Sequence, residues 1–332
     1  MRLLQIGSGS AAEYAGLLAS ELGFSVDRVP VATEPDGDPV DTRARELFLS
    51  RGKRDVNREG LSFADYDAIV EDVGPAALRG LGITWTRLHA QHPGLSLVSV
   101  SPFGASGPYA NWHATDLTAQ AAGGVVHVSG RDGEPPRALP QDVALMIAGL
   151  HAATAALSTT YAVAAGTETG VHVDISAQDT LMQHWTRHVA DYAYCGMTTR
   201  RHGEQTGIEV TGHVAPAADG LVFVHALRQP WQDVAAFLGL GEFLTESLMQ
   251  PGAEQPWDAM AGAFEDAVAA RPRYDWCHDA ADLGWTFAPV EDPWAVLSGP
   301  QNGARGSTDE ASTDEGLRTR LPGVPWRFED QL

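Results

Sequence analysis

LLQIGSGSAAEYAGLLASELGFSVDRV, residues 3–29, decides the fold. The apolar run at 3–6 reads as a strand, and Gly7–Ser8–Gly9–Ser10–Ala11–Ala12 as a tight turn. An apolar-periodic helix follows over 11–22, and FSVDRVPV (24–31) reads as a second strand. Strand, glycine turn, helix, strand is the opening of a doubly wound α/β sheet. Taken alone, it also has the look of a dinucleotide fingerprint. A helix N-terminus stands ready for a phosphate, and Asp27 follows at about the right distance for a ribose hydroxyl. Two features pull the other way: Ala12 replaces the third glycine, and Asp27 lies within its strand instead of at the end. Three readings of the turn stay open, namely a structural turn, a seat for the phosphate of an adenosine ligand, and a nicotinamide-cofactor site.

The alternation continues beyond this stretch. YDAIVED (66–72), LSLVSVSPFG (95–104) and GVHVDIS (170–176) read as strands. Helical patterns fall near 44–50, in PAALRGLG (75–82) and WTRLHAQHP (85–93), and over 115–122, 142–165 and 177–195. Such alternation implies right-handed crossovers and a mostly parallel sheet. Around 205–225 the pattern changes to short strands, among them LVFVHAL (221–227), and helical segments then run to about 283. FAPVED (287–292) resumes a strand, and the end reads as loop. The expectation is an α/β protein with a Rossmann-like large domain over 1–190. A smaller α+β domain is expected over 205–285, and a C-terminal segment, 286–332, returning to the large domain.

A formal net charge of −21 argues against a nucleic-acid or anionic-membrane surface, both of which need a basic face. Part of that acidity sits in TDEASTDEG (308–316), which reads as a solvated loop. Cys195 and Cys277 lie in no metal or redox motif, and no leader precedes the first strand, so a reduced cytoplasmic setting is expected. Residues 143–166 are uncharged and long enough to cross a bilayer. Their alanine richness, hydroxyls, His151 and Tyr161 favour a core helix packed on all sides.

Among chemistry-bearing residues, Asp142 follows a proline and opens the long apolar helix. Its carboxylate suits an N-cap, and equally a nucleophile aimed into a pocket at a helix N-terminus. The loop SPFGASGPY (101–109) leaves the C-terminal end of a strand, where open α/β sheets place ligands. His184 and His188 have helical metal spacing, but no third ligand accompanies them, and His151 reads as a core histidine. WCHD (276–279) sets a cysteine beside a histidine without forming a nucleophile–base pair, and neither a G-x-S-x-G elbow nor a Walker loop occurs.

Read in order, these blocks resemble the family III CoA-transferases, the carnitine/bile-acid CoA-transferase group. The blocks are AAEYAGLLASELGFSVDRV, DTR (41–43), LSRGKRDVN (49–57), EDVGPAALRGLG (71–82), HPGLSLVSVSPFGASGPY (92–109), TDLTAQAAGG (115–124), QDVALMIAGLHAATAAL (141–157), GVHVDISAQDTLM (170–182), ADGLVFV (218–224) and FAPVED (287–292). The resemblance implies a Rossmann-like large domain with an inserted smaller one, and an interlocked homodimer. It implies an acyl-CoA and a small carboxylic acid as substrates, with coenzyme A as the ligand and no tightly bound cofactor. The family's catalytic aspartate falls on Asp142, which would form an acyl anhydride and then an aspartyl-CoA thioester. Lys53 and Arg54 fall on a Lys-Arg step reaching the CoA phosphates, and Asp116 on an acidic position near the active site. His113 falls near CoA, Gly104 and Gly107 on the loop over the thioester, and Ser10 on the first-turn contact. Arg79 is displaced by one from the arginine of the family's GALxRLG block. Ser10–Ala11–Ala12–Glu13 stands where many members read Gln/Leu-Ala-Gly-Pro, and GTETGVH (166–172) where they read Gly-Arg-Gly-Gln. These departures, and a length shorter than most members, keep a non-catalytic CoA-binding member as the alternative. The racemase branch carries a histidine where Thr115 stands, so an acyl-CoA racemase is a more distant reading. Substrate contacts are expected from the loops around 195–215.

Overall fold

The computed structural model describes residues 1–31, 39–131, 133–184, 186–199, 201, 212–225, 231–241, 257–312, 316 and 318–327. The chain divides into two compact units. Residues 1–129, 136–199 and 307–332 form the first, and 130–135 with 200–306 the second.

The first unit runs β1 (Arg2–Ile6), α1 (Ser10–Glu21), β2 (Ser25–Val29), α2 (Pro39–Leu49), β3 (Lys53–Asp55), β4 (Ala68–Glu71), α3 (Gly74–Gly80) and α4 (Trp85–Gln91). It continues with β5 (Ser96–Ser101), α5 (Asp116–Ala122), α6 (Val125–Val128), α7 (Val143–Ala164), β6 (His172–Ser176), α8 (Ala177–His184) and α9 (Thr186–Cys195). Its six strands are parallel, in the order β3-β2-β1-β4-β5-β6. Strands in such a sheet are covered on both faces, which is why their sequences are near-continuous apolar runs. Leu3, Val26, Val70 and Val98 face a core shared with α1 and α7. Leu4, Val29, Ile69 and Leu97 face the opposite core with Leu78 and Leu88. The sheet order reverses between β1 and β4, so their C-terminal ends flank the crevice where this architecture binds ligands.

Three local readings change. The helix expected near 44–50 starts at Pro39, a residue suited to a first helical turn. β3 pairs with β2 although its three residues carry no strand pattern. Residues 308–312 were expected to be solvated loop, but they pair antiparallel with 318–322 as β10 (Thr308–Ser312) and β11 (Arg318–Pro322). Arg51 donates to the Pro322 carbonyl at 2.7 Å and ties this hairpin to the large unit.

Nor is α7 packed on all sides. It is long and apolar enough to cross a membrane, but only one face is covered. Ala144, Ala148, Gly149, Ala152, Ala153 and Ala156 are buried, while Leu150 and Tyr161 are exposed. A side chain at Gly149 would collide with the Ala11 carbonyl, so the small residues bring α7 against the start of α1.

The second unit contains β7 (Gly212–Ala217), β8 (Gly220–His225), α10 (Trp231–Leu238), α11 (Trp257–Ala269), α12 (Arg273–Asp282), β9 (Thr286–Val290), α13 (Pro293–Ser298) and α14 (Pro300–Arg305). β7-β8-β9 form an antiparallel sheet over Val222, Val224, Phe264 and Trp276. Because β9 pairs with β8, residues 286–306 belong here and not with the returning C-terminal segment.

Candidate functional site

The opening glycine turn is filled by the protein itself. Asp72, directly after β4, points its carboxylate into the turn and accepts from the amides of Ala12, at 3.0 Å, and Gly9. A Cβ at Gly7 or Gly9 would overlap that carboxylate, and Gly7 also holds a φ of +114°. The glycines are therefore required by an internal anion at the N-terminus of α1, where a dinucleotide fold would hold pyrophosphate. Asp27 is equally committed. It is buried at 3% exposure and accepts from Arg54 at 2.9 Å, Arg2 at 3.0 Å and the Tyr66 hydroxyl at 2.8 Å. The dinucleotide reading, and that of an adenosine phosphate in this turn, is corrected accordingly.

Desolvation pushes Asp72 up to about 6, against the two amides, with Glu71 and Glu13 adding repulsion. The folded chain thus keeps this proton at pH values where an unfolded aspartate, with a pKa of about 3.9, has lost it. Folding then binds the extra proton, so Asp72's contribution to stability falls as pH rises from about 4 to about 6. Urea midpoints of wild type and Asp72→Asn, compared at pH 4.5 and 6.5, are expected to show wild type losing ground relative to the variant at the higher pH. A constant difference would refute the assignment.

The candidate active site is a cavity of about 810 Å³ in the large unit. Ser10 at the start of α1, Arg45 on α2, Asp116 at the start of α5 and Asp142 before α7 converge on it. Asp142 occupies the N-cap position, yet its side chain makes no capping hydrogen bond. The cap comes from elsewhere: Asp116 Oδ1 accepts from the Leu145 amide at 2.9 Å, and Oδ2 accepts from Gln120 Nε2 at 2.6 Å. Gln120 also grips Leu139, accepting from its amide at 2.9 Å and donating to its carbonyl at 3.2 Å. Gln141 takes a left-handed φ of +57°, which the Asp116–Gln120 frame on either side supports. The N-cap reading of Asp142 is therefore corrected at the side chain, because Asp116 satisfies the helix amide and leaves the Asp142 carboxylate to the cavity. Ser10 Oγ donates to Asp142 Oδ2, Arg45 Nη2 donates to Ser10 Oγ at 2.6 Å, and Arg45 Nε stands 3.5 Å from Asp142 Oδ2.

Only part of the expected set gathers here. Ser10, Asp116 and Asp142 line the cavity, but Asp116 is 8% exposed and spends both oxygens on protein groups, so it positions the segment before α7. Lys53, expected at the CoA phosphates, is a correction. Its side chain is 1% exposed, and Nζ donates to Gln5 Oε1 at 2.8 Å, the Glu13 carbonyl at 2.7 Å and Glu13 Oε2 at 2.6 Å. Burial pulls this ammonium down to about 8 against the attraction of Glu13. Alternation along β3 leaves Arg54 exposed, paired with Asp27 and outside the cavity lining.

Arg79 lines a separate cavity of about 160 Å³ with Glu71, Trp85 and His172. Gly104 and Gly107 both take positive φ beyond β5, and the Ala105 amide donates to Asp174 at 2.8 Å. His113 is exposed, and neither it nor these glycines line the larger cavity. Thr115, at the racemase histidine's position, caps α5 by accepting from the Thr118 amide. His184 donates from Nδ1 to the Thr180 carbonyl, and His188 Nδ1 meets Thr199 Oγ1. Among the described residues no cluster of three or more His, Cys, Asp or Glu side chains is placed to hold a metal ion. Cys195 and Cys277 are both free thiols. Of the expected substrate loops at 195–215, residues 200 and 202–211 lie outside the described residues.

Arg45, Gln141, Asp72 and Glu13 were missed. Asp72 sits in the quoted EDVG block, but nothing in the sequence aims it at a turn 60 residues earlier. Arg45 had no signal beyond lying two residues past the DTR block.

The profile of CoA-transferase family III matches residues 63–331. A succinyl-CoA–D-citramalate CoA-transferase of Chloroflexus aurantiacus is 26% identical, over 68% of this chain and 60% of its own length. The chain thus spans somewhat less than two thirds of that relative. A succinyl-CoA:(R)-benzylsuccinate CoA-transferase subunit of Thauera aromatica is 25% identical, covering 97% of this chain and 86% of that one. The crystal structure of a CAIB/BAIF family protein from Brucella suis superposes with a TM-score of 0.81 at 21% identity, over 99% of this chain and 92% of that one.

Proposed function

Since the chain belongs to CoA-transferase family III, we propose that it moves coenzyme A from an acyl thioester to a free carboxylate, with Asp142 as the nucleophile. The observation that carries this reading is the Asp142 carboxylate, uncapped at the N-terminus of α7 and turned into the 810 Å³ cavity beside Ser10 and Arg45.

The chemistry balances without ATP or any resident cofactor. An Asp142 oxygen attacks the thioester carbonyl carbon, the C–S bond breaks, and CoA leaves as its thiolate. The thiolate then attacks the aspartyl carbonyl of the anhydride and expels the donor acid as carboxylate, leaving an aspartyl-CoA thioester. The acceptor carboxylate attacks that thioester, giving a second anhydride and thiolate. Attack of the thiolate on the acceptor's carbonyl releases the new acyl-CoA and restores Asp142. A nucleophile at a helix N-terminus meets developing negative charge with the positive end of the helix dipole.

The partners in this reading are an acyl-CoA and a small carboxylic acid, with a second copy of the chain completing an interlocked dimer. Exposed Leu150 and Tyr161 on α7 support a covered face of that kind. The setting proposed is cytoplasmic. The decisive assay incubates the protein with succinyl-CoA and a panel of small carboxylates, following new CoA thioesters by chromatography and enzyme adducts by intact mass. Transfer with an adduct on Asp142 supports the reading. CoA binding without adduct or transfer overturns it in favour of a non-catalytic member, which the internally paired Glu13 of the altered first turn makes the second reading.

A further inference from the structure

Among the described residues two arginines line the cavity, and they stand in opposite states. Arg28 is saturated: it meets Asp55 at 2.6 and 2.9 Å and Glu13 at 3.0 Å, with Glu46 at 3.8 Å. Arg45 is not. Its guanidinium donates to the neutral Ser10 hydroxyl, its Nε is enclosed without a hydrogen bond, and the single carboxylate beside it among the described residues is Asp142. An enclosed guanidinium N–H that meets a carboxylate only at 3.5 Å and forms no hydrogen bond is poorly satisfied, and a bidentate carboxylate is the ligand whose geometry suits the fork best.

We infer that Arg45 is the seat of the acceptor's carboxylate, and that the state of Asp142 controls its availability. The inference rests on Asp142 being the nucleophile. In the free protein Asp142 neutralises Arg45 and holds the seat closed to other anions. Once an Asp142 oxygen is bonded to the donor's acyl carbon, or its carbonyl carbon to the CoA sulfur, the aspartate charge is gone. The negative charge passes to the CoA thiolate and then, as the aspartyl thioester forms, to the expelled donor carboxylate. When that acid departs, Arg45 is left without a counter-ion, in a cavity whose other arginine is already paired. A small carboxylate entering at that moment restores the balance and is held beside the activated aspartyl carbonyl. Binding order follows from charge: the acceptor is admitted after the donor has reacted, when its attack is productive. Arg45 therefore touches substrate, and specificity for a carboxylate over a neutral nucleophile resides in it.

The test removes the Asp142 charge without any chemistry. Wild type, Asp142→Asn and the Asp142→Asn/Arg45→Met double variant are titrated calorimetrically with succinate at low ionic strength and pH 7.5, with circular dichroism to confirm folding. The neutral amide of Asp142→Asn stands in for the acylated aspartate. Asp142→Asn is expected to bind succinate at least ~10-fold more tightly than wild type, in line with one charge-assisted pair, and the double variant to lose that gain. Asp142→Asn/Arg45→Lys is expected to recover part of it, since charge remains while the fork is lost. Equal binding by wild type and Asp142→Asn overturns the inference, as does undiminished binding by the Arg45→Met double variant. The parent reading fails separately, if Asp142→Asn keeps turnover with succinyl-CoA.

Discussion

Asp142→Asn is expected to reduce CoA transfer by at least ~10³-fold, about 4 kcal/mol of transition-state stabilisation, while leaving the fold intact. The size follows from the role. The amide lacks a nucleophilic oxygen, so neither the anhydride nor the aspartyl thioester forms. Asp116, the carboxylate that braces the same segment, cannot replace it, because both its oxygens are committed, to Leu145 and Gln120. The intact fold also follows, because the Asp142 side chain caps nothing. Its replacement gives up only the Ser10 hydrogen bond and the part-exposed Arg45 pair, a cost of about 1 kcal/mol. Asp116→Asn should differ in stability, loosening the Gln141–Asp142 segment and lowering stability along with rate. Initial rates with succinyl-CoA, paired with urea unfolding of both variants, separate the two. Wild-type rates from Asp142→Asn would sink the mechanism.

Lys53→Met is expected to have the largest effect on stability, a loss of about 3–5 kcal/mol against a typical total of about 5–15 kcal/mol. All three ammonium donors are spent inside the protein, on Gln5 Oε1, the Glu13 carbonyl and Glu13 Oε2. Removing them strands a buried carboxylate against Arg28 alone, at 3.0 Å, and leaves Gln5 Oε1 and a backbone carbonyl without this donor. Methionine fills the volume, so the loss reports the missing charge and hydrogen bonds more than a cavity. The urea midpoint measures the loss. Affinity for CoA, measured on the folded fraction, should change little, because Lys53 lies beneath α1 and lines no part of the cavity. A variant of unchanged stability with weakened CoA binding would restore the phosphate role expected from sequence.

The strands that form the centre of the sheet were legible because burial on both faces forces uninterrupted apolar runs, as in Leu3–Leu4 and Ile69–Val70. β3 was not, because its three residues are charged and it is held by its neighbour's backbone and by side-chain pairing across the register Asp27–Arg54. The β10–β11 hairpin hid for a related reason: an exposed antiparallel ribbon carries polar residues along its length, as a loop does. Lys53 and Arg54 illustrate the limit most clearly. Adjacent cations look equivalent in a sequence, yet the pleat sends one inward to Glu13 and the other outward to Asp27.

By itself the sequence determined the sheet class and the family, and it singled out Asp142 as the candidate nucleophile. Each follows from local periodicity or from ordered blocks that neighbours in the chain impose on one another. Tertiary structure alone decided which anion meets which donor. Asp72 closes the glycine turn 60 residues upstream, Asp116 caps a helix 29 residues downstream, and Arg45 reaches Asp142 from another helix. Hydrogen bonds and ion pairs act over about 3 Å, a distance that chain separation does not encode. Packing of α1 against α7 through Ala11 and Gly149 is what brings those groups within reach.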